Sequence, residues 1–324
     1  MAKRATLKDV ARAAGVSHMT VSRVVRGERT VQAATAEKVR QYIVRLGYQP
    51  DPALSALAAY RTRGRSRSAG NVLAFLETEK SPYVQLVLEG VRTEAARLGY
   101  AVDGFTLPTS VAGQRQLSRQ LFHRRIMGLL ISPSSVLRRL EGWDWDHFAP
   151  VSLGALRHEP PMHAVAMDYF HGLQTAYTGL KNLGHRRIGL LLQESMEART
   201  GHLWLGAYLS IGEPSLEPLL FQDSIELERR LASWHTRQRP DAVLTLHREW
   251  HPRLARLGIT CAYLNDLAPF PGAPVIRLDP RHIGGESVHL AHLLLQKREL
   301  GLPALPKTIL LRGTWDPSGL PARA

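Results

Sequence analysis

Thr6-Leu7-Lys8-Asp9-Val10-Ala11-Arg12-Ala13-Ala14-Gly15-Val16-Ser17-His18-Met19-Thr20-Val21-Ser22-Arg23-Val24-Val25 decides how the rest of the chain is read. Leu7, Val10, Ala11 and Ala14 repeat at helical spacing behind Thr6, and Asp9 stands where a capping box needs an acceptor. Gly15 ends that helix, because glycine takes the left-handed conformation without strain. Ser17 then caps a second helix whose Val21, Val24 and Val25 face back toward Val10 and Ala14. His18, Met19, Ser22, Arg23 and Arg26 are left outward. Two short helices across a tight glycine turn, the second with a polar and basic outer face, predict a helix-turn-helix. Arg23 suits the two acceptors of a guanine edge, and His18 and Met19 sit at the helix start, where base edges come nearest.

Outward from this stretch, the pattern predicts a third helix over about Ala34–Leu46, burying Val39, Ile43 and Leu46 and ending at Gly47. Gln32 is a weak cap for it. The charge agrees with a polyanion partner. Residues 1–67 hold 14 basic and 4 acidic residues, against a net charge of +14 for all 324 residues, so most of the excess sits in the first fifth. Such a localised basic domain points to nucleic acid first and an anionic membrane second.

The 6–25 stretch, with Glu37-Lys38-Val39 and Leu46-Gly47-Tyr48-Gln49-Pro50 downstream, resembles the DNA-binding headpiece of the lactose-repressor (LacI-type) family over residues 6–58. The resemblance implies DNA contacts from Thr6, Ser17, His18, Met19, Thr20, Ser22, Arg23 and Arg26. After Asp51-Pro52, a sound helix start, the segment Ala53-Leu54-Ser55-Ala56-Leu57-Ala58 matches the family's hinge helix. By that match Leu57 is the minor-groove wedge, with Ala53 and Leu54 beside it. A helix this short is marginal alone, so it needs a second surface. Asp51 stands where most relatives carry Asn, which sets a carboxylate near phosphates. Residues 60–68 read as a basic, serine-rich linker that adds phosphate attraction.

From Ala69 the pattern changes to short apolar strands alternating with amphipathic helices. Strands are expected at 71–76, 100–105, 127–131, 150–153, 164–167, 187–192 and 242–246. Helices are expected at 83–98, at 114–124 and from the 164–167 strand to Leu183. This alternation implies parallel sheets with right-handed crossovers. A weak repeat relates Glu89-Gly90 followed by Arg97-Leu98-Gly99-Tyr100 to His171-Gly172 followed by Asn182-Leu183-Gly184-His185. Asp168, Gly172 and Leu183-Gly184-His185-Arg186-Arg187-Ile188-Gly189 resemble the two-lobed, periplasmic-binding-protein-like effector domain of the same family.

Ligands of such folds bind at the carboxyl ends of the strands. The candidate effector residues by position are Tyr83, Ser132, Ser134, Asp168, Leu203, Trp204, His247 and Asn265. Their aromatic faces and few polar groups suit a sugar. The chain departs from the family at three of its ligand positions: Leu203 replaces an arginine, His247-Arg248 replaces an Asn-Asp pair, and Tyr263-Leu264-Asn265-Asp266 replaces a strand end with paired aspartates. Arg199, four residues upstream of Leu203, is not assumed to substitute.

Other chemistry is poorly supported. His247 and His251 lie four apart, but Arg248 follows the first histidine where the metalloprotease pattern needs Glu, so no metal is expected. His289 and His292 read as a helix surface. No G-x-S-x-G elbow, P-loop or G-x-G-x-x-G occurs, and the single cysteine rules out a disulfide scaffold. No apolar run approaches a membrane span and the start lacks a signal-peptide core. The expectation is a cytoplasmic, nucleoid-associated, homodimeric transcriptional repressor with no cofactor and no enzymatic activity. It has an all-α helix-turn-helix headpiece (1–49), a hinge helix and linker (50–68), and a two-lobed α/β effector and dimerisation domain with parallel sheets (69–324). It would bind a near-palindromic double-stranded operator under a small-molecule effector such as a sugar. After Thr314 the chain shows no heptad tail of the kind that makes tetramers in some relatives. The rival is a soluble small-molecule-binding protein with a non-specific basic arm.

Overall fold

The computed structural model describes residues 6–25, 31–46, 48, 71–154, 158–212, 216–267 and 270–317. The chain divides into two compact units, Met1–Ser68 and Ala69–Ala324. The expectations for Arg26, the hinge residues Ala53, Leu54 and Leu57, the linker and the stop at Gly47 lie outside the described residues.

In the first unit α1 (Leu7–Ala14), α2 (His18–Val25) and α3 (Ala33–Arg45) enclose a small core of Val10, Ala11, Ala14, Val21, Val24, Ala36 and Val39. Thr6 and Asp9 form the capping box, and Gly15 takes φ 66 at the α1 end. Gln32 makes no side-chain cap to α3, in keeping with its poor capping chemistry. One core assignment needs correction: Leu46 is exposed, since α3 ends at Arg45 and the chain leaves the core there, while Ile43 in the last turn still packs on it.

The second unit is two α/β lobes. Lobe 1 is a parallel sheet in the order β13-β7-β5-β3-β1-β2. Its strands are β1 (Val72–Glu77), β2 (Ala101–Thr106), β3 (Gly128–Ile131), β5 (Ala149–Leu153), β7 (His163–Met167) and β13 (Thr308–Leu311). A small two-stranded sheet pairs β4 (Arg138–Arg139) with β6 (His158–Glu159). Helices α4 (Pro82–Arg97), α5 (Val111–His123) and α11 (Pro280–Lys297) belong to this lobe. The α4–α11 crossing is close because both helices present glycine. A Cβ on Gly284 would lie 2.1 Å from the Val87 carbonyl oxygen, and one on Gly90 2.0 Å from that of Arg281.

Lobe 2 repeats the plan in the order β14-β12-β11-β10-β8-β9, with only β14 antiparallel. Its strands are β8 (Ile188–Gln193), β9 (Leu219–Phe221), β10 (Ala242–Thr245), β11 (Thr260–Tyr263), β12 (Val275–Arg277) and β14 (Thr314–Asp316). Its helices are α6 (Tyr169–Asn182), α7 (Glu194–Arg199), α8 (Leu203–Ser210), α9 (Ser224–Gln238) and α10 (His251–Arg256). The chain passes between the lobes three times: from β7 to α6, from β12 to α11 and from β13 to β14. Every strand and helix anticipated from the alternation is present within a few residues of its expected bounds.

Candidate functional site: a helix-turn-helix face and the edge where two lobes meet

The α2 face is built by its apolar side. Val21 and Val24 are buried against α1 and α3, so a helix of 3.6 residues per turn must turn His18, Met19 and Arg23 to solvent. Met19 is 57% exposed and adds an apolar group to this face. Ser17 Oγ accepts the Thr20 amide at 3.1 Å and lies 2.8 Å from Thr20 Oγ1, so both hydroxyls help to start α2. Thr6 is engaged in its capping box. Arg23 is exposed. The outer face therefore offers a basic group and an exposed apolar one on a rigid helix.

In the second unit the carboxyl ends of the parallel strands carry most of the candidate effector residues, and the structure distributes them among three local networks. The first is in lobe 1. Ser132, fully buried after β3, accepts the Thr78 amide at 2.9 Å, and Arg138 Nη2 donates to the Thr78 carbonyl at 3.0 Å. Ser134 Oγ donates to the Val136 carbonyl and accepts from Arg138 Nε at 3.2 Å. Beneath them Ser152 Oγ lies 2.6 Å from His158 Nδ1. Burial, with Arg138 nearby, lowers the His158 pKa to about 4, so this imidazole is neutral.

A second network is in lobe 2. His247 is buried, and its Nε2 accepts the Gln193 amide at 3.1 Å while Nδ1 faces Glu249 at 3.2 Å. Burial lowers its pKa, partly offset by Glu249. With both nitrogens engaged, His247 holds the ends of β8 and β10 together. Asn265 Oδ1 accepts the Leu267 amide and shapes its own turn. His247 and His251 do not converge: the first precedes a 3-10 turn, while the second opens α10 and stacks on Phe270 at 3.9 Å. Among the described residues no cluster of three or more metal-ligating side chains occurs. His289 and His292 do more than cover a helix surface: His289 pairs with Glu94, and His292 with the Tyr100 hydroxyl.

The third network joins the lobes. Tyr83, in the first turn of α4, lies close to Tyr169, the first residue of α6. Burial raises both phenol pKa values, and the nearby Arg199 guanidinium works against it in each. Trp204, 2% exposed, sets its ring edge-on to Tyr169 at 5.0 Å. Asp168 caps α6 through the His171 amide at 3.0 Å and pairs with Arg312 at 3.4 Å. Leu203 is 42% exposed at the start of α8.

The structure thus gathers Tyr83, Asp168 and Trp204 around Tyr169 and keeps Ser132, Ser134, His247 and Asn265 in the other networks. Tyr169 in the third network and Arg138 and Thr78 in the first escaped sequence reasoning, while Arg199 was named there only as no substitute for an arginine at 203. Tyr169 was within reach, since it directly follows Asp168 and opens a helix.

Comparison with known proteins places these features in context. The family model for bacterial regulatory proteins, lacI family, matches residues 6–51. The HTH-type transcriptional regulator PtxS of Pseudomonas plecoglossicida is 32% identical over 215 residues, 65% of this chain, which span about half (54%) of that relative. The HTH-type transcriptional repressor PurR of Edwardsiella ictaluri is 29% identical over 251 residues, 74% of this chain and 71% of that one. Among solved structures, the lac repressor dimer bound to operator and the anti-inducer ONPF superposes over 98% of this chain and 100% of that one, with TM-score 0.56 and 19% identity. That likeness carries the fold.

Proposed function

The chain belongs to the lacI family of bacterial regulatory proteins, and from that premise we propose that it is a sequence-specific transcriptional repressor, not an enzyme, which binds operator DNA as a homodimer under a small-molecule effector. The observation that carries this reading is the outer face of α2. His18, Met19 and Arg23 project from a helix whose other side is locked into a core of valine and alanine. Arg23 reads a guanine edge, Met19 meets a thymine methyl, and Thr6, Ser17, Thr20, Ser22 and Arg26 make supporting contacts. Ala53, Leu54 and Leu57 act at the operator centre, Leu57 as the wedge that unstacks a flexible step. The boundary near residue 69 separates reading from sensing. The effector enters where the lobes meet and biases their arrangement. Among the described residues no helix is long and apolar enough to cross a membrane.

The test is selection of binding sites from random duplex DNA at about 150 mM salt, where exposed charges are screened beyond roughly 8 Å. A two-fold symmetric motif, bound about a thousandfold more tightly than random DNA, is expected. Absence of any enriched motif, with binding that only follows salt, would mean a basic arm on a binding protein. Leu57→Ala is expected to weaken the selected site by a few kcal/mol at most and leave random DNA nearly untouched. Equal losses on both sink the wedge role.

A further inference from the structure

One side chain of lobe 2 works at two helix ends at once. Glu197, in the last turn of α7, is 1% exposed. Its backbone carbonyl closes α7, accepting from the Thr200 and His202 amides, both at 3.1 Å, and from the Thr200 hydroxyl at 3.0 Å. Its side chain reaches forward, where Oε1 accepts the Leu205 amide at 2.8 Å in the first turn of α8. Between these two grips the chain turns through consecutive left-handed residues, Gly201 with φ 69 and His202 with φ 61. Glycine takes that conformation freely, whereas a histidine there is strained.

Helix α8 differs from its neighbours in how it starts. Asp168, Asp223 and Asp279 each stand directly before the helix they cap, α6, α9 and α11. His202 stands in that place before α8, but its side chain makes no capping bond. A helix start leaves amides that need acceptors, and Glu197 supplies one from the preceding helix. Its other oxygen, Oε2, is buried without a hydrogen-bond partner among the described residues, and burial raises the Glu197 pKa. An acid kept in that state is costly, so the bond to Leu205 is the interaction that offsets it.

What Glu197 fixes lies next to the contact between lobes. Leu205 directly follows Trp204, whose ring meets Tyr169 edge-on at 5.0 Å where the chain enters lobe 2. The Trp204 indole N–H is buried and has no hydrogen-bond partner among the described residues. Packing and the point where α8 begins therefore set where that ring lies.

We propose that Glu197 is a positioning residue: its carboxyl group starts α8 in place of a cap of the helix's own, keeps the joint closed across the strained His202, and so holds Trp204 against Tyr169. This role rests on the reading of that edge as the place where an effector biases the lobes. A ligand that moves Trp204 has to work against the Glu197–Leu205 bond.

Magnetic resonance of the full chain, with nitrogen-15 in its six tryptophan indoles, tests this without any ligand, and Trp204→Phe assigns the signal. Glu197→Ala is expected to shift or broaden the Trp204 signal and leave the other indoles in place. Amide exchange at the start of α8 should quicken roughly fivefold to thirtyfold, the effect of losing a helix cap. Glu197→Gln keeps an acceptor at the same reach and should preserve both readings. Glu197→Asp keeps the charge but withdraws it by one methylene, and should behave as the alanine variant does.

A residue that only stabilises the fold would lower the melting temperature and leave the indole spectrum of the folded molecules unchanged. That result for Glu197→Ala overturns the role. So does a Glu197→Asp chain that leaves the Trp204 signal in place, or a Glu197→Gln chain that moves it. Where Glu197→Ala does not fold, this last pair decides alone. DNA binding takes no part in the test. A failed DNA selection counts against the regulator reading, and an unmoved Trp204 counts against Glu197 only.

Discussion

The two lobes share a strand order and differ in how they bring their layers together. Lobe 1 sets backbone against backbone where α4 crosses α11, with Gly90 and Gly284 as the points of contact. Lobe 2 places its glycines under indole rings: a Cβ on Gly189 would meet Trp234 at 2.8 Å, and one on Gly179 would meet Trp315 at 2.3 Å. The same contrast holds at the carboxyl ends of the sheets. Lobe 1 finishes with hydroxyls and a guanidinium around a buried His158, lobe 2 with His247 bridging two strands. One topology is therefore compatible with two packing chemistries, and it is the packing that decides which side chains remain to meet a ligand.

Three substitutions probe this packing contrast, the largest effect first. Trp234→Ala should cost about 4 kcal/mol, because it empties the centre of a lobe 2 core and strands the Glu217 carbonyl that the indole N–H serves. Urea unfolding read by tryptophan fluorescence and circular dichroism measures it. A loss under half that size would show that α9 settles onto the sheet without the indole. Gly284→Ala follows at about 3 kcal/mol, since the new methyl meets a carbonyl that cannot rotate away. Gly189→Ala should cost less, as a tryptophan ring has more room to shift than two helices. Equal costs would erase the distinction between the lobes.

The buried histidines predict a pH effect. His158 has a folded pKa of about 4, against 6.5 for a free imidazole. The unfolded chain therefore binds the proton more readily between these values, and stability must fall as pH drops through them. Full stability is present above about pH 6.5, and about 2 kcal/mol should be gone by pH 5 from this group. His247 is lowered in the same direction and adds to the slope. Unfolding measured from pH 7.5 to pH 4.5 checks it. A His158→Asn chain that kept the same slope would assign the loss elsewhere. The smallest effect is Tyr83→Phe, which removes a phenol hydroxyl beside Tyr169 where the lobes meet and should cost at most about 1 kcal/mol. It should loosen the lobes more than it unfolds them, visible as faster amide exchange at the start of α6.

Much of this architecture was legible in the residues, and for identifiable reasons. The Thr6–Asp9 capping box, Gly15 in the left-handed region and the valines of α2 are local signals with local causes, and each appears as expected. The strand–helix alternation from Ala69 to Leu246 was equally readable, because a strand buried on both faces is an uninterrupted apolar run. Beyond Leu246 the reading thinned. Strands β11 to β14 have three or four residues each, too short to show a period, and α11 hides its apolar stripe among histidines and glycines. Even so, Asp279-Pro280 was an available start signal for α11. The site was harder still. Position along strand ends pointed to Tyr83 and Trp204, which the fold brings to Tyr169, but not to the hold that Gln193 takes on His247 or to Arg199 near the two phenols. Those outcomes depend on which partners the fold delivers from far away in the chain.

The three passages between lobes also set an order of events during synthesis. Lobe 1 begins at β1, yet the helix that covers α4 and the edge strand β13 lie beyond the whole of Tyr169–Arg277. At roughly 5–20 residues per second, the ribosome takes several seconds to make that insert. Throughout that time Val87 and Val91 of α4 wait without the helix that will bury them. The lobe that starts first is thus completed last, and lobe 2 has most of its own sheet before lobe 1 is whole. A nascent chain stalled after Arg277 would present lobe 2 nearly finished and lobe 1 open along one face.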